Sequence, residues 1–251
     1  MAGRRGIRVE DEERWVFNRL AADYAFRPGY PDELVARLAE IARAGHVADL
    51  GAGTGLLALP LARRGLEVTA VEPARGMLEV LQRSAGESVR CVQASAEDTG
   101  LPDRSCALVI LADGLQWVDP ELAGREAGRL IRPEGACAVV ESKLGGTPFM
   151  DTLLEAIAGA NPKAQSRSGG GALRQVLSLA LERRPVWVEA MPQEVLLDEE
   201  ALAPVVRSLS FVGPALGAPA VDRLVEEARR LAQAHGARWR RHLVLTWGRR
   251  A

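Results

Sequence analysis

The chain has 251 residues and a formal net charge of −1, from 32 basic and 33 acidic side chains. Its apolar share of 47% and mean hydropathy of −0.03 fit a folded globular protein and exclude a disordered one, which is poor in apolar residues and far from neutral. A near-zero charge sets up no field to steer a polyanion, so no nucleic acid or anionic membrane is expected as a partner. Residues 1–13 read as a charged lead-in without the apolar h-region of a secretory signal, which predicts a cytoplasmic protein. Cys91, Cys106 and Cys137 are widely spaced, with no CxxC or Cys/His cluster, so free thiols and no metal are expected.

In chain order, the Arg27–Pro31 stretch breaks the first helical segment. Pro31, Asp32 and Glu33 then open a helix whose apolar face is Leu34, Val35, Leu38 and Ile41, with Gly45 as its stop. Short apolar runs alternate with helical stretches from there. Strands are predicted at Val47–Leu50, Val68–Val71, Val89–Val92, Ala107–Leu111 and Ala136–Val140. Helices are predicted at Leu56–Arg64, Ala74–Arg83 and, behind an Asp119 cap, from Pro120 to about Leu130. Continuous apolar strands suit a sheet covered on both faces, and this alternation predicts a doubly wound, mostly parallel sheet. After Glu141 the rhythm changes to loop chemistry with one helix near Met150–Ala160. A helix at Ala172–Glu182 follows, then strands at Val186–Val188 and Glu194–Leu197, helices at Glu199–Leu209 and Ala220–Ala234, and a last strand at His242–Trp247.

The most informative stretch is Val47-Ala48-Asp49-Leu50-Gly51-Ala52-Gly53-Thr54-Gly55, a buried strand running into a glycine-rich turn. Glycines let a ligand approach the backbone, and free N–H groups at the following helix start would face it. Glu72 ends the second strand, 21 residues after Gly51, where an acid accepts hydrogen bonds from ribose hydroxyls. A nicotinamide-dependent oxidoreductase is one reading, but two details oppose it. The dinucleotide fingerprint needs Gly or Ala where Leu56 stands. Asp49 at the strand tip would repel a pyrophosphate and suits a cationic ligand, such as an α-amino group or a sulfonium-bearing chain.

VADLGAGTG resembles the first motif of the class I S-adenosylmethionine-dependent methyltransferases, and the likeness continues through AVEPARGML, Ser95-Ala96-Glu97, LADGLQWVDP and LIRPEGACAVVE. FRPGYP and RSLSFV (Arg207–Val212) are similar to outer elements of a small-molecule branch that includes ubiquinone-type and trans-aconitate-type enzymes. The resemblance implies a seven-stranded Rossmann-like α/β sheet with helices on both faces and a helical and loop cap. It implies one domain over 1–251: cap helices in 1–45, a cofactor core in 46–142, an inserted substrate cap in 143–215, and a C-terminal helix and last strand in 216–251. It implies S-adenosylmethionine as cofactor, S-adenosylhomocysteine as product and a small-molecule acceptor, in a monomer or homodimer.

The same resemblance distributes roles. Asp49, Gly51, Ala52, Gly53, Glu72, Pro73 and Ala112 fall where the family contacts the cofactor, and Met77 where an apolar side chain packs on adenine. Ser95 stands in place of the family's Asp, which shifts the adenine-amine contact to Ala96, Glu97 or Asp98. Tyr24 and Arg27 lie in the segment that closes over the cofactor, with Arg27 available to the methionine carboxylate. Gln116 and Trp117 stand where the branch often has His-Trp, and are candidates for positioning the acceptor. No catalytic base is identified among His46, His235 and His242. A cofactor-binding protein without turnover is the remaining alternative.

Overall fold

The structure, a computed structural model, describes residues 17–162 and 170–251. The lead-in read over 1–13 and the loop around 163–169 lie outside them. Seven strands form one sheet in the order β3-β2-β1-β4-β5-β7-β6. They are β1 (Val47–Leu50), β2 (Val68–Val71), β3 (Arg90–Val92), β4 (Cys106–Ala112), β5 (Ile131–Leu144), β6 (Val186–Leu196) and β7 (Arg238–Arg249). The first five are parallel; β7 runs antiparallel between β5 and β6.

Strand residues alternate between two apolar layers, as a pleated sheet covered on both faces requires. Leu108, Ile110, Ala136 and Ala138 face one layer, with α2 (Asp32–Ala42), α3 (Ala58–Arg63) and α4 (Arg75–Ala85). Val109, Leu111, Cys137 and Val139 face the other, with α5 (Pro120–Leu130) and α7 (Gly170–Ala180). Asp119 caps α5 as predicted, its carboxylate accepting from the Glu121 and Leu122 amides. A third cluster joins α6 (Pro148–Ala160), α8 (Glu199–Ser208) and α9 (Ala218–His235) around Phe149, Leu153, Val206 and Leu224.

The largest departures from the sequence reading lie after β4. The Arg132–Gly135 turn is a bulge inside β5: Ile131 pairs with Cys106, and Ala136 already pairs with Leu108. The two short strands at 186–188 and 194–197 are one strand in unbroken register with β7. Polar residues and Pro192 interrupt its apolar pattern because β6 is the sheet edge, where one side needs no partner. The segment 143–215, read as an inserted cap, is divided: β6 extends the sheet, α7 covers a sheet face, and α6 and α8 pack with α9 from beyond it. No helix among the described residues is long and apolar enough to cross a membrane.

At the N-terminal side, α1 (Phe17–Tyr24) lies across the start of α4. The Gly76 amide, an orphan donor of the first helical turn, donates to the Asn18 carboxamide oxygen at 2.7 Å. A Cβ on Gly76 would meet the Asn18 carbonyl oxygen at 2.8 Å. Gly76→Val is therefore expected to push α1 outward and cost about 1–3 kcal/mol, read by chemical denaturation; an unchanged midpoint would contradict this close approach.

Candidate active site

Parallel strands β1 to β5 end on one edge of the sheet, and the strand order reverses between β1 and β4. Doubly wound folds place their ligand crevice at such a switch point. A cavity of about 1070 Å³, including its open mouth, lies there, at the upper end of the size range of small-molecule sites. All twelve residues assigned from sequence to the cofactor line it: Tyr24, Arg27, Asp49, Gly51, Ala52, Gly53, Glu72, Pro73, Met77, Ala96, Glu97 and Ala112. Trp117 lines it as well. Gln116 does not; it is exposed, and its amide donates to the Asp113 carbonyl at 3.0 Å.

The leading amides of the glycine turn are engaged within the chain. The Gly51 and Ala52 amides donate to the Val71 carbonyl at 2.8 and 3.1 Å, and the Gly53 amide to Glu72 at 2.8 Å. The helix begins only at Ala58. The turn thus has its leading donors tied to the end of β2 and to Glu72. Gly51 and Gly53 adopt φ of +76° and +58°, with open space where a Cβ would be.

What the turn presents instead is negative. Asp49 is 2% exposed, and its Oδ2 has no hydrogen-bond partner. Burial, then the neighbouring Glu72, pushes its carboxyl up to about 7, against the Ala58 amide. Glu72, itself buried, accepts from the Ala74 and Gly53 amides at 2.8 Å each, one on each oxygen. Burial raises its pKa, and those two amides oppose the shift. A carboxylate has about four acceptor sites, so two remain for a ligand. Thr54, also lining the cavity, has a buried hydroxyl without a partner. Buried polar atoms without partners, facing a cavity, mark places a ligand completes.

The adjoining wall is aromatic. Phe17 stands edge-on to Trp117 and Tyr24, with ring centroids 5.1 and 6.1 Å apart. Met77 is buried beside Leu20 and Ala74. Ser95 is bridged to Asp98 and neither lines the cavity, whereas Ala96 and Glu97 do.

The two outer sequence elements meet. Arg27 donates to the Ser208 hydroxyl and carbonyl, both at 2.8 Å, and to the Tyr24 hydroxyl at 2.9 Å. Arg207 pairs with Asp23 at 2.9 Å. FRPGYP is thereby clasped to the end of α8. No described residue of 143–215 lines the cavity; that segment acts from behind, through Ser208 and Gln193.

Among the lining groups without a sequence role are Phe17, Thr54, Asp113 and Arg241. Asp113, at φ 52°, follows β4. Its carboxylate accepts from the Tyr30 hydroxyl at 2.9 Å and from the Ser142 hydroxyl and amide at 2.7 Å. Burial, then Asp113, holds the Tyr30 phenol well above 10, so it keeps its proton. Arg241, on β7, has its guanidinium 4.7 Å from the Tyr30 ring centroid.

Residues 48–139 match the family described as a methyltransferase domain. These residues run from β1 into β5 of the seven-stranded sheet. An uncharacterized methyltransferase of Mycobacterium bovis is 42% identical over 114 residues, 45% of this chain and 46% of that protein. A ubiquinone biosynthesis O-methyltransferase of Azorhizobium caulinodans is 34% identical over 98 residues, 38% and 39% of the two chains. The match thus spans less than half the length of these curated relatives. A candidate type II methyltransferase from Anaeromyxobacter dehalogenans has the same fold, at a TM-score of 0.64 and 24% identity over 89% of this chain and 97% of that one.

Proposed function

We propose that the protein transfers a methyl group from S-adenosylmethionine to a small-molecule acceptor by in-line displacement. The observation that carries this reading is the pair of buried carboxylates on adjacent strand ends, with the Asp49 Oδ2 atom unpartnered at the cavity wall. Asp49 would take the α-amino group and Glu72 the ribose hydroxyls. Met77, Pro73 and Ala96 would border the adenine, with Glu97 near its amine. S-adenosylmethionine supplies a methyl group on a sulfonium, already activated, whose leaving group is a neutral thioether.

The chain's own task is then mainly placement. Tyr24, Phe17 and Trp117 wall the cavity beside the glycine turn and shield it from water, and the Arg27–Ser208 clasp holds that wall in place. Holding acceptor and donor in line can supply effective molarities of ~10⁵–10⁸ M. The neutral phenol of Tyr24, raised by burial, accepts from Arg27 and would orient an acceptor by donating its own O–H rather than by removing a proton, whereas the Tyr30 O–H is already given to Asp113. A recessed cavity and a balanced charge favour a small acceptor over a nucleic acid.

Calorimetry with S-adenosylhomocysteine tests the reading. One site per chain is expected, along with transfer of labelled methyl from S-adenosylmethionine into a metabolite extract. Absence of binding at millimolar ligand would overturn it. Binding without turnover across a broad extract would leave a cofactor-binding protein that is not a transferase.

A further inference from the structure

We propose that the methyl acceptor is an acid, held through its anionic group by the Arg241 guanidinium at the β7 end of the cavity. This rests on the methyltransferase reading and adds the acceptor's class to it.

Arg241 is 7% exposed and the one basic side chain among the buried residues described. Three partly buried arginines have carboxylates: Arg129 holds Glu126 at 2.7 Å, Arg37 holds Glu189 at 3.0 Å and Arg207 holds Asp23 at 2.9 Å. Arg27, less buried at the same cavity, is engaged by Ser208 and Tyr24 oxygens. Arg241 has none within ion-pairing distance among the described residues. Its Nε donates to the Gln193 carboxamide oxygen at 2.6 Å, and its Nη2 to the Gly29 and Pro28 carbonyls at 2.8 and 3.2 Å. These acceptors are neutral. They fix the fork's direction without cancelling its charge, and Nη1 has no hydrogen-bond partner among them. Asp113 contributes only at longer range, its oxygens already taken by Tyr30 and Ser142. Burial lowers the Arg241 pKa, with Tyr30 and Asp113 opposing. A buried cation left this way is unfavourable until an anion reaches it, and a guanidinium takes a carboxylate or phosphate by two parallel bonds.

Position along the sheet separates this group from the cofactor. Glu72 follows β2 and Asp49 is the last but one residue of β1, whereas Arg241 stands on β7, opposite Leu144 of β5. Strands lie about 4.8 Å apart, so β7 is roughly 14 Å from β1 in the sheet. The ends of β4 and β5, with Asp113 and Ser142, come between. The cavity is therefore polarised: acidic at β1 and β2, where a cationic donor fits, and basic at β7. Trp117, Val118 and Leu111 line it too and suit an apolar body on the acid.

The test saturates the protein with S-adenosylhomocysteine and titrates it with benzoate, hexanoate, phenyl phosphate and inorganic phosphate. Benzamide and hexanamide serve as uncharged matches. Wild type should bind at least one anion ten or more times better than the matched amide. A preference for benzoate or hexanoate assigns carboxylic acids; a preference for phenyl phosphate assigns phosphate esters. Arg241→Gln should weaken that anion at least tenfold while S-adenosylhomocysteine affinity stays within twofold, and Arg241→Lys should recover part of the loss. Equal binding of anion and amide, or no anion binding at ten millimolar, overturns the inference on wild type alone, whatever the variants' folding. Loss of S-adenosylhomocysteine affinity in a folded Arg241→Gln protein also overturns it, placing Arg241 at the cofactor or in a purely structural clasp. If wild type does not bind S-adenosylhomocysteine, the transferase reading fails, and the same titrations on the free protein still decide whether Arg241 holds an anion.

Discussion

Asp49→Asn is expected to make the free protein more stable above pH 7 and to weaken its cofactor by about a hundredfold. The unfolded carboxyl titrates near 3.8, and burial followed by Glu72 lifts the folded one to about 7. The folded state therefore binds the proton more tightly, and stability falls as pH rises from about 4 to 7. Above 7 the full penalty applies, of the order of 4 kcal/mol for a shift of this size. An amide of the same shape carries no charge to desolvate, so the variant should melt several degrees higher at pH 8. The same change removes the counter-charge for a buried ammonium, a loss of about 3 kcal/mol in affinity. Wild-type affinity should increase toward pH 7, by up to about tenfold per unit on the acid side. It should fall again above about 8, as a free α-amino group loses its own proton. The variant should lack the acid limb. Calorimetry between pH 5.5 and 8.5, in two buffers of different ionisation enthalpy, reads both the curve and the proton released. A variant that loses stability and keeps its affinity would assign Asp49 to the turn, not the ligand.

The strand–turn–acid half of the site was legible because its logic is local. Buried parallel strands write themselves as unbroken apolar runs, glycine marks the turn, and Glu72 follows at a spacing set by one β–α–β unit. The opposite half was not. Asp113 is built by Ser142, 29 residues on, and by Tyr30, 83 residues back. Arg241 is aimed by Gln193 and by the carbonyl of Pro28, 213 residues away. Within Arg238-Trp239-Arg240-Arg241 nothing distinguishes the buried arginine from its solvated neighbours until the pairing of β7 with β5 and β6 fixes which one faces inward. Gln116 stays off the cavity lining for a related reason: the resemblance supplied its position after β4, while a backbone hydrogen bond sets its direction. The cap boundaries blurred because an edge strand needs no continuous apolar pattern, so β6 reads as two fragments inside a loop.

Glu72→Gln is expected to behave as a severe change although it keeps the side chain's shape. Each carboxylate oxygen accepts a backbone amide, from Ala74 on one and Gly53 on the other. A carboxamide offers one acceptor oxygen and must turn its NH2 toward the second N–H, leaving two donors face to face. One buried amide then goes unsatisfied and its charge-assisted bond is lost, together about 3 kcal/mol. For a chain of this size that is about 6–12 °C in melting temperature. Glu72→Ala should be at least as damaging as Glu72→Gln, because it removes the acceptors of both the Gly53 and Ala74 amides. A general loss of folding is separated from the ribose role by ligand fragments. Adenosine affinity should vanish in Glu72→Gln and survive in Asp49→Asn, while methionine affinity should show the reverse. Wild type should also prefer S-adenosylhomocysteine to its 2′,3′-dideoxy analogue, and Glu72→Gln should not. Should both variants lose both fragments equally, the two carboxylates act only as a coupled brace for the turn, and the cofactor is recognised elsewhere in the cavity.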